Sequence, residues 1–280
     1  MLEQIITTKR LELDELDAFT RVCVNALNRA PKAVEQVELV KRINELLGDP
    51  PAYASEDDYE RAKRQAAEIA EFGKKQKDKG FPQLYSLLIV KLWTILESMV
   101  DELTVAALLD PKEKRSAAPH AALMKIKGPL IEFRRASPEE QAEFMADSLK
   151  QALDVALKPG VGRFEALLDP IGLGGSVSPE IRRVFVEFSH FRNSIVHKSG
   201  KADRRLLESC PWVKVSRGDN LPIDSTAFGR YLMCTYWYLL EIRGRIAVLR
   251  GEMRHADADK AQELLVANFR ATEKPESSGA

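Results

Sequence analysis

No run of this chain approaches the roughly 18 uninterrupted apolar residues that a membrane-spanning helix needs, so no membrane partner is expected. The first residues, Met1-Leu2-Glu3-Gln4, lack the basic and apolar blocks of a signal peptide, and a cytoplasmic location is the expectation. Cysteine is scarce. Cys23, Cys210 and Cys234 lie far apart, in odd number and without a C-x-x-C pair, which argues against a disulfide framework or a cysteine zinc site. Net charge is also missing: 42 lysines and arginines balance 42 aspartates and glutamates, so no overall field draws in a polyanion. Broad coating of nucleic acid is thereby disfavoured, and only a local basic patch stays open. The chain carries no H-E-x-x-H, no carboxylate–histidine cluster and no Gly-x-Ser-x-Gly. Pro159-Gly160-Val161-Gly162 and Gly172-Leu173-Gly174-Gly175 follow no strand and lack the G-K-[ST] of a phosphate loop, so both read as turns. Metal and serine hydrolases rank low, and neither a metal nor a cofactor is expected.

Helical period dominates what is there. Leu11 to Asn28 and Ala33 to Leu47 read as amphipathic helices, broken at Pro31 and ended by Gly48-Asp49-Pro50-Pro51. Glu56 to about Gly73 is a third, strongly charged helix, with a fray or turn expected over Lys74 to Gly80. Phe81 to Leu109 is a long core helix with Pro82 in its first turn, where a missing N–H costs little. Its Leu84, Leu88, Leu92, Ile95, Met99 and Leu103 recur at three- and four-residue spacing. Two or three shorter helices are expected between Pro111 and Gly175. One opens at Ser137-Pro138-Glu139-Glu140, where a cap, a proline and first-turn acids come in the preferred order. Ser178-Pro179-Glu180 repeats that signal and opens a helix to about His197, with Gly200 as its stop. Trp212 to Val215, a Gly218-Asp219-Asn220 turn and Leu221 to Ile223 predict one short β-hairpin. Thr226 to Arg250 is the last long core helix, and its aromatics read as core. A final helix, about Ala256 to Phe269, precedes a polar tail expected to be disordered. The fold class is all-α, in three parts: an N-terminal helical extension (1–80), a helical core (81–250) and a C-terminal helix with its tail (251–280).

Chemistry concentrates at the end of the Pro179 helix. Ile181, Val184, Phe185, Phe188 and Ile195 form one apolar stripe, and Arg192 falls within it. A guanidinium keeps its proton and is costly to bury, so Arg192 calls for a carboxylate, a phosphate or a wet groove. Asn193 and His197, spaced i,i+4, stack along a neighbouring face. Lys198, Lys201, Arg204 and Arg205 follow at once. From Ile181 to Arg217 there are nine lysines and arginines against three acids, the local excess a track of RNA phosphates needs. These residue types suit phosphodiester cleavage. Histidine gives and takes protons near neutral pH, and a fixed arginine stabilises the charge of a pentacoordinate phosphate. RNA supplies its own nucleophile in the 2′-hydroxyl, and two copies of the helix across a two-fold axis would supply both an acid and a base.

Arg192-Asn193-x-x-x-His197, near the end of a core helix and followed by Gly200 and Asp203, resembles the R-N-x-x-x-H motif of the HEPN superfamily. Leu92-Trp93-Thr94-Ile95-Leu96-Glu97 upstream and the aromatic-rich helix downstream fit its stand-alone RNase or toxin-like branch, of the RiboL-PSP-HEPN-like kind. The likeness spans roughly Phe81 to Arg250. It implies an up-and-down four-helix bundle that forms a homodimer with the motif helices facing each other. It further implies a metal-independent endoribonuclease that leaves cyclic phosphate ends, in a toxin–antitoxin or phage-defence setting. The partners would then be RNA and an antitoxin or other regulatory protein. By position Arg192 and His197 take the catalytic roles and Asn193 orients the histidine or the phosphate. Glu97 and His190 are accessory candidates, and Lys198, Lys201, Arg204 and Arg205 the RNA-binding ones.

Plainer readings stand beside these. Some relatives are non-catalytic modules that bind protein or RNA. Arg192 could instead close an internal ion pair with Glu97 or Glu102, and His197 could serve only its helix dipole. His190 could be a solvated surface residue. His120 and His255 lie in polar surroundings and are given no role.

Overall fold

A computed structural model describes residues 1–48, 50–109, 126, 128, 130–254, and positions 260, 263, 264, 266 and 267. The expected final helix falls largely outside the described residues. The polar tail, His120 and His255 lie outside them altogether. Among the described residues the protein is all-helical, with no strand.

The first helix, α1 (Leu2–Arg29), starts well before the predicted Leu11. Its early turns are amphipathic: Leu2, Ile6, Leu13 and Leu16 are buried in the central core, so packing extends the helix beyond its most regular stretch. Lys9 is buried on the same face, held by Glu12 at 2.8 Å and by Glu102 at 2.7 Å. A tight turn containing Pro31 leads to α2 (Ala33–Leu47), which ends at left-handed Gly48. The third helix, α3 (Glu56–Asp78), is capped by Ser55, whose hydroxyl accepts the Asp58 N–H, and carries three acids in its first turn. Gly73 lets α3 cross the first turn closely, since a Cβ there would lie 2.5 Å from that of Ala30. The expected fray over Lys74 to Gly80 does not occur before Asp78. Buried Gln76 and the contact at Gly73 hold those turns in place, and the lysines simply face solvent.

Next comes α4 (Pro82–Leu109), the central element, which packs against α1 and against four helices introduced below. Leu88, Leu92, Ile95, Met99 and Leu103 are buried as the spacing predicts, with Ile89, Trp93, Leu96 and Val100 buried as well. Apolar burial around much of a helix marks the middle of a domain. Short α5 (Leu130–Arg135) precedes α6 (Pro138–Ala152), where the Ser137–Glu140 capping box forms as expected. Then α7 (Gly162–Leu168) leads to α8 (Pro179–Lys198), capped by Ser178. A short α9 (Arg204–Ser209) and a loop lead to α10 (Ser225–Leu249). Helices α6, α7, α8 and α10 all pack on α4, and α10 also packs on α1, where the Tyr236 hydroxyl donates to Asp14 at 2.7 Å. Aromatic side chains of α8 and α10 interlock in the core, with Phe188 and Tyr231 stacked at 4.7 Å. Phe228, Tyr231, Trp237 and Tyr238 are buried, as the reading of α10 as a core helix requires.

The predicted hairpin over 212–223 does not form. The 218–221 turn pairs instead with the residues just after α8: Ala202 N–H donates to Asp219, Gly218 N–H to Ala202 and Leu221 N–H to Gly200, each at 2.9 Å. Lys201 and Asn220 form the single antiparallel bridge among the described residues. Both strand-like runs exist in the sequence, but the backbone partner lies on an earlier loop, where alternation within 212–223 gives no sign of it.

Among the described residues no helix is long and apolar enough to cross a membrane.

Candidate functional site

The motif residues sit on the last two turns of α8, which are fixed from beneath. Ile181, Val184, Phe185, Phe188 and Phe191 bury the helix, and Ile195 is half-buried where the stripe reaches the edge of the core. The helix ends with Ser199 and Gly200 both left-handed (φ 52° and 74°), and Gly200 N–H donates to the Ser194 carbonyl at 2.9 Å.

Arg192 is half-buried and points toward α4. Its Nη2 lies 3.7 Å from Glu97, too far for a hydrogen bond, while Nη1 donates to the Asn193 side chain at 3.1 Å. Its Nε is buried with no hydrogen-bond acceptor among the described residues. The guanidinium is thus held in place with donor capacity to spare. Glu97 is held more closely by a residue that sequence reasoning missed. Arg163, at the start of α7, reaches it at 3.1 Å and also lies over the Trp93 ring at 5.7 Å. Two arginines therefore share one carboxylate, each of the three side chains about a quarter exposed, which leaves a local positive excess. Of the two carboxylates weighed for Arg192, Glu102 is taken by Lys9 and Glu97 is the one that meets it.

Asn193 and His197 are exposed on the adjoining face. His190, two turns earlier on that face, is half-buried beside Asp203 and Arg205. Burial lowers its affinity for a proton, Asp203 opposes that effect and Arg205 adds to it; the balance lies below the ordinary imidazole value. Lys198, Lys201, Arg204 and Arg205 are all exposed, and Arg204 is paired with Glu208 at 2.6 Å. Asp203 caps α9 by accepting the Leu206 N–H at 2.8 Å.

A second unforeseen group is Glu187. Buried at 3% exposure, it accepts from Trp212 Nε1 at 2.6 Å and from the Tyr231 hydroxyl at 2.8 Å, and it pairs with Arg230. Burial first, and the Glu187 charge second, push the Tyr231 phenol well above its usual range. Helical spacing offers Arg183 as a partner at i−4, but Arg183 lies over the Trp212 ring at 4.2 Å. The true partners come from α10 and the loop before it, more than 20 residues away. This carboxylate ties α8 to both and so sets where the motif turns sit.

Among the described residues no group of three or more His, Cys, Asp or Glu side chains is placed to hold a metal ion. Comparison of the chain with protein-family models, with curated proteins and with solved structures found no match.

Proposed function

We propose that this protein is a HEPN-type endoribonuclease that cleaves RNA as a homodimer without a metal ion. One observation carries the reading: a half-buried arginine with unused donors stands beside an exposed Asn193 and His197 on one helix end. An arginine serving only as internal glue would spend its donors on its carboxylate; here Arg163 takes that place. Arg192 and His197 are five residues apart, about 140° around the helix, so one copy presents them to different sides. Two copies facing each other across a two-fold axis would bring both kinds of group to one phosphate.

In that arrangement His197 draws the proton from the 2′-hydroxyl, and the oxygen attacks the adjacent phosphorus. The partner subunit's His197 protonates the departing 5′-oxygen, leaving a 2′,3′-cyclic phosphate and a 5′-hydroxyl. Arg192 stabilises the phosphorane charge, and Asn193 keeps the guanidinium aimed. Lys198, Lys201, Arg204 and Arg205 supply the phosphate track. The bundle around α4, built with α8 and α10, would be the HEPN core, and the biological setting would be toxin–antitoxin or phage defence.

A second reading, a non-catalytic HEPN module that binds protein or RNA, draws support from α2. Leu39, Ile43, Leu46 and Leu47 lie exposed along one side of that helix, the kind of surface a protein partner such as an antitoxin would cover. The deciding experiment is cleavage of RNA by the purified protein in excess EDTA, beside folded His197→Ala and Arg192→Ala variants. Cleavage with cyclic phosphate ends, lost in both variants, supports the nuclease. A parent that leaves varied RNAs intact shifts the case to the binding module.

A further inference from the structure

A cavity of about 490 Å³ opens beside the end of α8, between the α3–α4 junction and the 220–224 loop. Ser199 and Gly200 form one wall, Lys79, Pro82 and Gln83 another, and Asn220 and Pro222 the third. Its size lies within the roughly 300–1,000 Å³ of small-ligand pockets. Prolines offer flat apolar faces, and the amides of Gln83 and Asn220 stand at the edge. An amide carries both a donor and an acceptor, the combination that reads the edge of a base. Gln83 already accepts from Gln76 at 3.1 Å, which keeps its donor end for a ligand.

Lys79 lies on the cavity wall, and Lys198 and Lys201 flank its Ser199 and Gly200 in sequence; all three are exposed, and none has an ion-pair partner among the described residues. Asp224, the one carboxylate on the wall, is engaged in capping α10 through the Ala227 N–H at 2.9 Å. The three unpaired lysines on or beside the wall are the groups there that could meet phosphates. Ser199 of the wall and Phe81, next to wall residue Pro82, have left-handed backbone (φ 52° and 59°), each just past the end of a helix. Ser199 lies seven residues beyond Arg192, about 10 Å along the helix axis, a span of about three stacked nucleotides.

We propose that this cavity is a nucleotide subsite, taking an unpaired RNA base a few positions from the phosphate handled at Arg192 and His197, with Lys79, Lys198 and Lys201 holding the flanking backbone. The assignment rests on the reading of the motif as an RNA site. It also gives part of the N-terminal region a task, since Lys79 belongs to the turn that ends α3.

The test is binding of four fluorescein-labelled 2′-O-methyl RNA decamers, one for each base, followed by anisotropy. The methyl group blocks the cleavage nucleophile, so binding is read apart from catalysis. The full-length parent should prefer one decamer. Asn220→Ala should weaken that decamer about fivefold or more and level the preference, while Lys79→Glu weakens all four. Lys158→Glu, an exposed charge change outside the cavity wall, should leave both unchanged. Parent-like binding by both cavity variants overturns the subsite, and so does a parent that binds none of the four. Unmodified RNA is followed for cleavage in parallel. Base-selective binding without cleavage removes the nuclease reading and keeps the subsite; cleavage with cavity variants that bind like the parent does the reverse.

Discussion

Arg163 stands closer to Glu97 than Arg192 does, at 3.1 Å against 3.7 Å. That difference determines what each substitution should do. Replacing Glu97 with Gln releases both arginines, and because all three groups are about a quarter exposed the stability loss should stay near 1 kcal/mol or below. RNA affinity should rise or hold. Arg163→Met leaves Glu97 to Arg192 alone, so affinity and cleavage should fall. Thermal unfolding reads the stability, anisotropy with a 2′-O-methyl RNA the affinity, and unmodified RNA the cleavage. If Glu97→Gln unfolds the protein, the cluster is internal support and the functional assignment of Arg192 fails.

The buried carboxylate of Glu187 predicts a contrasting result. Glu187→Ala strands Tyr231, Trp212 Nε1 and Arg230 together. Arg230 is about a third exposed and recovers some solvation, so the expected cost is about 3 kcal/mol, with a melting temperature roughly 10 °C lower. Trp212 fluorescence should shift in the folded state as well. A loss under about 1 kcal/mol would mean that α8 is positioned by its apolar face alone.

Thiol reactivity separates the cysteines. Burial pushes the Cys210 thiol up to about 12 and Cys234 well above its usual range, and both side chains are fully enclosed. Only the half-buried Cys23 has partial access to solvent. Titration of the native protein with a thiol reagent should modify one cysteine rapidly, and all three after denaturation. Rapid native modification of Cys210 would show that the loop before α10 opens.

His190 gives a pH signature with a definite sign. Its proton affinity in the folded protein lies below the ordinary value, so the unfolded chain binds the proton first as pH falls through about 6.5. The stability that its neutral form contributes is present above that point and is lost below it. Between about pH 7.5 and about pH 5.5 the parent's melting temperature should therefore fall more than that of His190→Gln. Equal falls would place the histidine in open solvent.

Local signals were the legible ones. The Ser137–Glu140 capping box, the proline starts of α4 and α8 and the aromatic face of α10 each depend on residues within a turn or two, and each stands as the spacing predicts. The clustering of Arg192 with Asn193 was visible for the same reason. Partners across the fold were not. Glu97 and Glu102 look alike on α4, and only the docking of α1 assigns one to Lys9 and leaves the other for Arg192. Arg163 sits in a short helix after a turn, with no periodicity to aim it. The failed hairpin has the same origin: its turn residues are real, but the backbone they pair with belongs to the loop after α8.

The bond from Tyr236 to Asp14 joins residues 222 positions apart, where α10 lies along α1. On a translating ribosome, at about 5 to 20 residues per second, that part of α1 waits roughly 10 to 45 seconds for its covering helix. Until then its flank beside α10 is open, although α4 is already made and can shelter part of it. The same last helix carries Arg230 and Tyr231, which anchor α8 through Glu187. A nascent chain would thus hold its Arg192–His197 turns unfixed until α10 has followed them out, so the proposed activity would wait on a helix that carries none of the motif.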